Sequence, residues 1–207
     1  MGLSNTFKLP ERVTKEEAED AVRVLLRWAG EDPKREGLID TSSRYVKVFK
    51  EWFAGYENDS VEILSRMFDE LEGYDEMVVL HNVRFESHCE HHIAPIIGNA
   101  HVAYLPDKRV VRVSKLARLV DLYSKRLQIR KRLTAQIATI LKNVLQPKGV
   151  GVVVEASNGC MTTRGVEQTG LTMVTSQMIG AFREDSATRR EFLAAIGNPT
   201  SGPGNTI

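Results

Sequence analysis

The chain of 207 residues carries 28 Lys and Arg against 27 Asp and Glu, a formal charge of +1, with 42% hydrophobic and 27% charged residues. That length allows one sizeable core with a smaller appendage, and the balanced charge gives no electrostatic reason for a nucleic-acid or acidic-membrane partner. No apolar run reaches membrane-span length, "MGLSNTFKLPERVTKEEAED" lacks the apolar stretch of a signal peptide, and two cysteines in unlike contexts fit a reducing cytoplasm better than a disulfide framework.

The N-terminal third reads as helix. "TKEEAEDAVRVLLRWAG" opens with Thr14 and has Glu17 three residues on, a capping-box pattern. Ala18, Ala21, Val22, Leu25 and Ala29 form a stripe expected to be core, and Gly30 closes the helix. After the connector "DPKREGLIDTSSR", Tyr45, Val48, Phe49 and Trp52 repeat with helical spacing. Val61, Leu64, Phe68 and Leu71 do the same after Ser60. Near Tyr74 the texture changes. "EMVVLHNVRFES" and "IIGNAHVAYLPDKRVVRV" are rich in β-branched and aromatic residues, with turn signals at Gly98-Asn99 and Pro106-Asp107. "SKLARLVDLYSKRL" and "RKRLTAQIATILKNVL" are amphipathic helices, the second ended by Pro147 and Gly149. "GVGVVVEAS" reads as a buried strand, "TGLTMVTSQMIGAF" as a further strand and "DSATRREFLAAIG" as a last helix. The pattern predicts an α+β fold with an antiparallel sheet. The expected divisions are a helical region over 1–73, a catalytic domain over 74–197 and a disordered tail over 198–207.

The stretch "FESHCEHHIAPIIG" holds Cys89 and three of the five histidines. Cys89 and His92 have C-x-x-H spacing, which lets a tight turn present both side chains to one ion. Cys160, the other cysteine, ends a strand, and strand pairing would bring it beside them. Thiolates and imidazole favour Zn2+ over hard cations. Three protein ligands leave a fourth position for water, whose pKa zinc lowers towards ~7. The alternative is that both cysteines are apolar core and the histidines lie on the surface. His88 neighbours Cys89 in an extended segment and should point the other way. "RVSKLAR" sets Ser114, Lys115 and Arg118 at a helix start, Arg164 follows Cys160, and Arg44 opens an earlier helix. Helix N-termini and Arg or Lys side chains suit phosphate, whereas the bland alternative is a solvated basic face.

Taken together, "CEHH", "VAYLP", "SKLAR", "RLT" with "QIA", the strand ending in Cys160, "TTRGV" and "FREDSATRREFL" closely resemble GTP cyclohydrolase I. The similarity runs from about Trp28 to Ile196 and includes "REGLIDTSSR". The resemblance implies the tunnelling fold and a toroidal homodecamer with active sites between subunits. It also implies hydrolytic opening of the GTP imidazole ring at C8, release of formate and reclosure to dihydroneopterin triphosphate, a pterin precursor. Cys89, His92 and Cys160 would be the zinc ligands and His91 a catalytic acid/base. Ser114, Lys115, Arg118 and Arg164 would hold the triphosphate, with Arg44 contributing.

The chain departs from the family pattern at two chemically important places. The family has a catalytic histidine two residues before the last cysteine; here that residue is Asn158, which does not titrate near neutrality. The family reads the base with a Gln-Glu pair before "RLT"; here the pair is Arg130-Lys131. A glutamate accepts from guanine N1–H and its amino group, whereas Arg and Lys only donate. The exchange forfeits a charge-assisted interaction of about 1.5–3 kcal/mol, a tenfold to hundredfold loss at ~1.4 kcal/mol per decade. Thr41-Ser42 and the residue before "SK" differ less consequentially. The expectation is a zinc cyclohydrolase acting on a purine or purine nucleotide with altered base specificity. Its binding residues would include Arg130 and Lys131, and it would halt after ring opening. The alternatives are an ordinary GTP cyclohydrolase I, with Gln128 or Glu155 compensating, and a silent paralogue that regulates an active homologue.

Overall fold

The structure, a computed structural model, describes residues 13–64, 67–68, 75–164 and 170–197, with backbone alone at 67–68. The tail expected over 198–207, Leu71 of the third apolar stripe and the end of "TTRGV" lie outside the described residues. The chain divides into two compact units, Met1–Glu51 and Trp52–Ile207.

In the first unit, α1 (Lys15–Trp28) begins where the Glu17 N–H donates to Thr14 Oγ1 at 3.2 Å and the Thr14 N–H donates to Glu17 Oε2 at 2.7 Å. Each bond satisfies a backbone donor that the helix start leaves orphaned. Gly30, at φ +94°, ends it. The stripe of Ala18, Ala21, Val22, Leu25 and Ala29 does not form a core: no α1 residue is buried, and Leu25 is 62% exposed. Among its described residues the unit otherwise offers a 3-10 turn (Glu36–Leu38) and most of α2 (Thr41–Trp52), too little surface to cover a helix of this length. On α2 the Tyr45 and Phe49 rings sit one turn apart, 5.7 Å between centroids.

The second unit contains α3 (Ser60–Leu64) and β1 (Met67–Phe68). These are followed by β2 (Val78–Cys89), β3 (Pro95–Leu105), β4 (Val110–Val111), α4 (Val113–Ser124), β5 (Leu127–Gln128) and α5 (Arg130–Leu145). The chain then forms β6 (Gly149–Asn158), α6 (Gly159–Thr162), β7 (Met173–Gly180), α7 (Ala181–Glu184) and α8 (Ser186–Ala195). The third stripe was expected to stay helical through Phe68; instead Met67–Phe68 form β1, which pairs antiparallel with β4. Long-range pairing overrides the local spacing there. The main sheet has the order β5-β2-β3-β6-β7 and is antiparallel except where β5 joins β2 in parallel.

Side chains alternate between the two faces of the sheet. One face sends Phe85, Ala100, Val102, Val152 and Val154 against α4 and α5, where Leu119, Leu133, Ile137 and Leu141 are buried. On the other face Ala103 and Val153 meet Phe182 and Phe192, whose rings pack edge-on at 5.5 Å. Burial on both faces explains the uninterrupted apolar run of β6. Gly98-Asn99 forms no turn: both lie inside β3, opposite Ala156 and Glu155. A Cβ at Gly98 would stand 2.0 Å from the Glu155 carbonyl oxygen, so the glycine serves close strand approach. Among the described residues no helix is long and apolar enough to cross a membrane.

Candidate functional site

Three strand ends converge. Register sets Pro95 of β3 opposite His88 of β2, and Ile96 opposite Asn158 of β6. Cys89, the last residue of β2, and Cys160, in the short α6 that follows β6, therefore share one end of the sheet. Gln128 of β5 pairs with Cys89, which brings Arg130 at the start of α5 to the same end.

Between β2 and β3 the chain reverses tightly. The Cys89 carbonyl accepts from the Ile93 N–H at 2.8 Å and the His92 N–H at 3.4 Å, and the Cys89 N–H donates to the Ala94 carbonyl at 2.8 Å. Ile93 takes φ +54°, a left-handed conformation that a β-branched residue adopts only where its surroundings impose it. Cys89 Sγ, a ring nitrogen of His92 and Cys160 Sγ lie within 4.8 Å of one another. The fold thus brings together the three residues singled out as metal ligands. A tetrahedral ion about 2.3 Å from sulfur and 2.0–2.1 Å from nitrogen separates its ligand atoms by roughly 3.5–3.8 Å, so small side-chain shifts close this group on one ion. Burial, then the adjacent Cys89 sulfur, pushes the Cys160 thiol above its ordinary pKa. Two thiolates this close need a cation between them, and the donor set fits a thiophilic divalent metal.

His91 is exposed, with Nδ1 3.9 Å from Cys89 Sγ and Nε2 3.9 Å from Glu90 Oε1. Glu90 in turn accepts from both terminal nitrogens of Arg132. That pair escaped sequence reasoning because its members are far apart in the chain. His88 is buried behind the turn, its ring against Trp52 at 4.6 Å and Phe53 at 5.3 Å. Burial pushes its pKa down, which favours the neutral ring.

Arg130 and Lys131, read from the sequence as a base-binding pair, point different ways, since successive helix residues are about 100° apart. Lys131 is exposed; Arg130 is only 6% exposed, and its Nη1 donates to the Ala156 carbonyl at 2.6 Å and the Met173 carbonyl at 3.5 Å. Burial pushes the guanidinium below its usual range, while the nearby Cys160 and Cys89 sulfurs hold it up. Ser114, Lys115 and Arg118 occupy the first turns of α4; Ser114 and Arg118 are exposed and Lys115 half-buried. Arg164 is exposed just after α6. Arg44, in the first unit, is exposed and pairs with Asp40 at 3.1 Å.

The sequence pattern of the GTP cyclohydrolase I family matches residues 18–197. A "GTP cyclohydrolase 1" of Maricaulis maris is 51% identical over 183 residues, 88% of this chain and 89% of the relative. Proteins of the same name from Hyphomonas neptunium and Pelagibacter ubique are each 50% identical over 186 residues, covering 90% of this chain and 90% and 92% of their own lengths. The sheet with its paired helices α4 and α5 is the tunnelling fold. The chain belongs to the GTP cyclohydrolase I family.

Proposed function

We propose that this chain is a zinc-dependent GTP cyclohydrolase I that converts GTP and water to formate and 7,8-dihydroneopterin triphosphate. The observation that carries this reading is half-identity, along nearly the whole chain, to relatives bearing that name. Cys89, His92 and Cys160 hold the ion, which when bound supplies Lewis acidity and lowers the pKa of bound water towards ~7. His91, beside this group, passes protons to and from the purine ring nitrogens. Opening the ring cuts the bonds that tie C8 into it, and C8 leaves as formate. Ser114, Lys115 and Arg118 bind the triphosphate at the start of α4, where helix N–H groups point outward. Arg164 adds positive charge there. The assembly is a toroidal homodecamer with active sites between subunits. The position of β7 at the sheet edge, with Met173 and Val174 exposed, supports pairing with another copy. The cytoplasm keeps the two thiols reduced, as this reading requires.

Asn158 favours a second reading. A carboxamide carries no proton near neutrality, so ring opening would proceed and the reaction would stop at a formamide, with altered base preference. Incubation of the purified protein with GTP, following formate and pterin fluorescence together, separates the two. Equal formate and pterin support the first reading, a formamidopyrimidine without formate supports the second, and unchanged GTP refutes both.

A further inference from the structure

Arg130 and Asn158 line one cavity of about 360 Å³, whose other walls include Met161, Leu171, Met173 and Val174. The Arg130 hydrogen bonds among the described residues all run from Nη1 to backbone carbonyls, and no described carboxylate pairs with the side chain. Its Nε–H and Nη2 donors are therefore without described partners, on a guanidinium that is nine-tenths buried. Besides the nearby Cys160 and Cys89 sulfurs, acceptors on a ligand would offset the cost of burying this charge. The Asn158 Oδ1 is buried and has no hydrogen-bond partner among the described residues. The cavity thus combines apolar walls that suit a flat ring, two neighbouring donors on a rigid fork, and one orphan acceptor.

A 6-oxopurine presents the complementary series along one edge. N7 and O6 are adjacent acceptors in the geometry that an arginine fork meets in pairs, and N1–H follows as a donor. We propose that Arg130 and Asn158 make this cavity a reader of the N7, O6 and N1–H edge of a purine nucleotide, indifferent to the substituent at C2. Adenine fails twice there, turning its 6-amino donor towards Arg130 and an unprotonated N1 towards the Asn158 oxygen. The inference rests on the reading that the chain acts on purine nucleotides, and it assigns base selection to residues that the family pattern does not supply.

Titration calorimetry with GTP, ITP, XTP, ATP and 7-deaza-GTP tests it on the unaltered protein. GTP, ITP and XTP should bind within about threefold of one another, whereas ATP and 7-deaza-GTP should bind about tenfold to hundredfold more weakly. Arg130→Met should bring the GTP to 7-deaza-GTP ratio close to one, and Arg130→Lys, which keeps charge but loses the fork, should fall between. Circular dichroism checks that both variants fold, and the unaltered protein's ranking stands without them. ATP binding as tightly as GTP, or a ranking that follows the 2-amino group, overturns the proposal. Selectivity of the expected kind without turnover of GTP would sink the assigned reaction and leave this inference standing. Turnover of GTP with a ranking set by the 2-amino group would do the reverse.

Discussion

Replacement of Gly98 by alanine should wedge β3 away from β6 beside the site. The new Cβ would stand 2.0 Å from the Glu155 carbonyl oxygen and 2.6 Å from both Cα and Cβ of Ala156. Ordinary contact needs well over 3 Å, and two of these three atoms are backbone, so a rotamer change cannot relieve the clash. Overpacking of this kind costs about 1–3 kcal/mol. For a chain of this size each kcal/mol moves Tm by roughly 2–4 °C, so the expected fall is about 2–12 °C. A second effect follows from connectivity. The Ala156 carbonyl accepts the 2.6 Å bond from Arg130, and the same strand ends at Asn158, two residues before Cys160. Its displacement should also weaken metal retention. Differential scanning calorimetry with metal analysis of the same samples reads both. Gly159→Ala is the comparator, because its Cβ would meet nothing closer than Pro95 at 3.1 Å. It should lose less stability than Gly98→Ala. A Gly98→Ala protein that melts within a degree of the parent and keeps its metal would refute the reasoning.

Phe192 is fully buried and packs edge-on with Phe182 on the sheet face away from α4 and α5. Phe192→Ala should cost about 3–5 kcal/mol in urea unfolding, whereas a loss under 1 kcal/mol would mean that α8 does not cover the sheet. Asp185 caps α8: its carboxylate accepts from the Thr188 hydroxyl and from the N–H groups of Ala187 and Thr188, which lowers its pKa to about 2. A carboxylate with a depressed folded pKa stabilises above its unfolded value of ~3.9, and that contribution disappears as pH falls through the folded value. The stability gap between the parent and Asp185→Ala should therefore be full at pH 5 and shrink towards pH 2 in urea titrations. A gap that stays constant over this range would contradict the cap.

Local pattern carried α4, α5, β6 and α8, because apolar spacing and boundary residues within each segment determine them. Gly98-Asn99 misled because a glycine in a turn and a glycine under a crossing strand look alike; only the β3–β6 register separates them. The α1 stripe announced a buried face, but local amphipathicity does not supply a partner, and the helix stays open. At the site, C-x-x-H spacing exposed Cys89 and His92, whereas the meeting with Cys160 depends on strand register. Arg130 reads from the sequence as a base-binding partner of Lys131, with nothing in the local pattern to mark it as buried. Its burial follows from the two-residue pairing of β5 with β2, too short to leave a periodic trace. The Glu90–Arg132 contact likewise exists only once β2 and α5 are folded together.

The proposed chemistry requires one metal ion held by Cys89, His92 and Cys160. Elemental analysis of protein purified under reducing conditions, beside Cys89→Ala and Cys160→Ala, tests it directly. One zinc per chain in the parent and none in either variant, with the circular dichroism spectrum preserved, is the expected result. Full zinc in Cys160→Ala, or undiminished formate release from GTP by chelator-stripped protein, would contradict it.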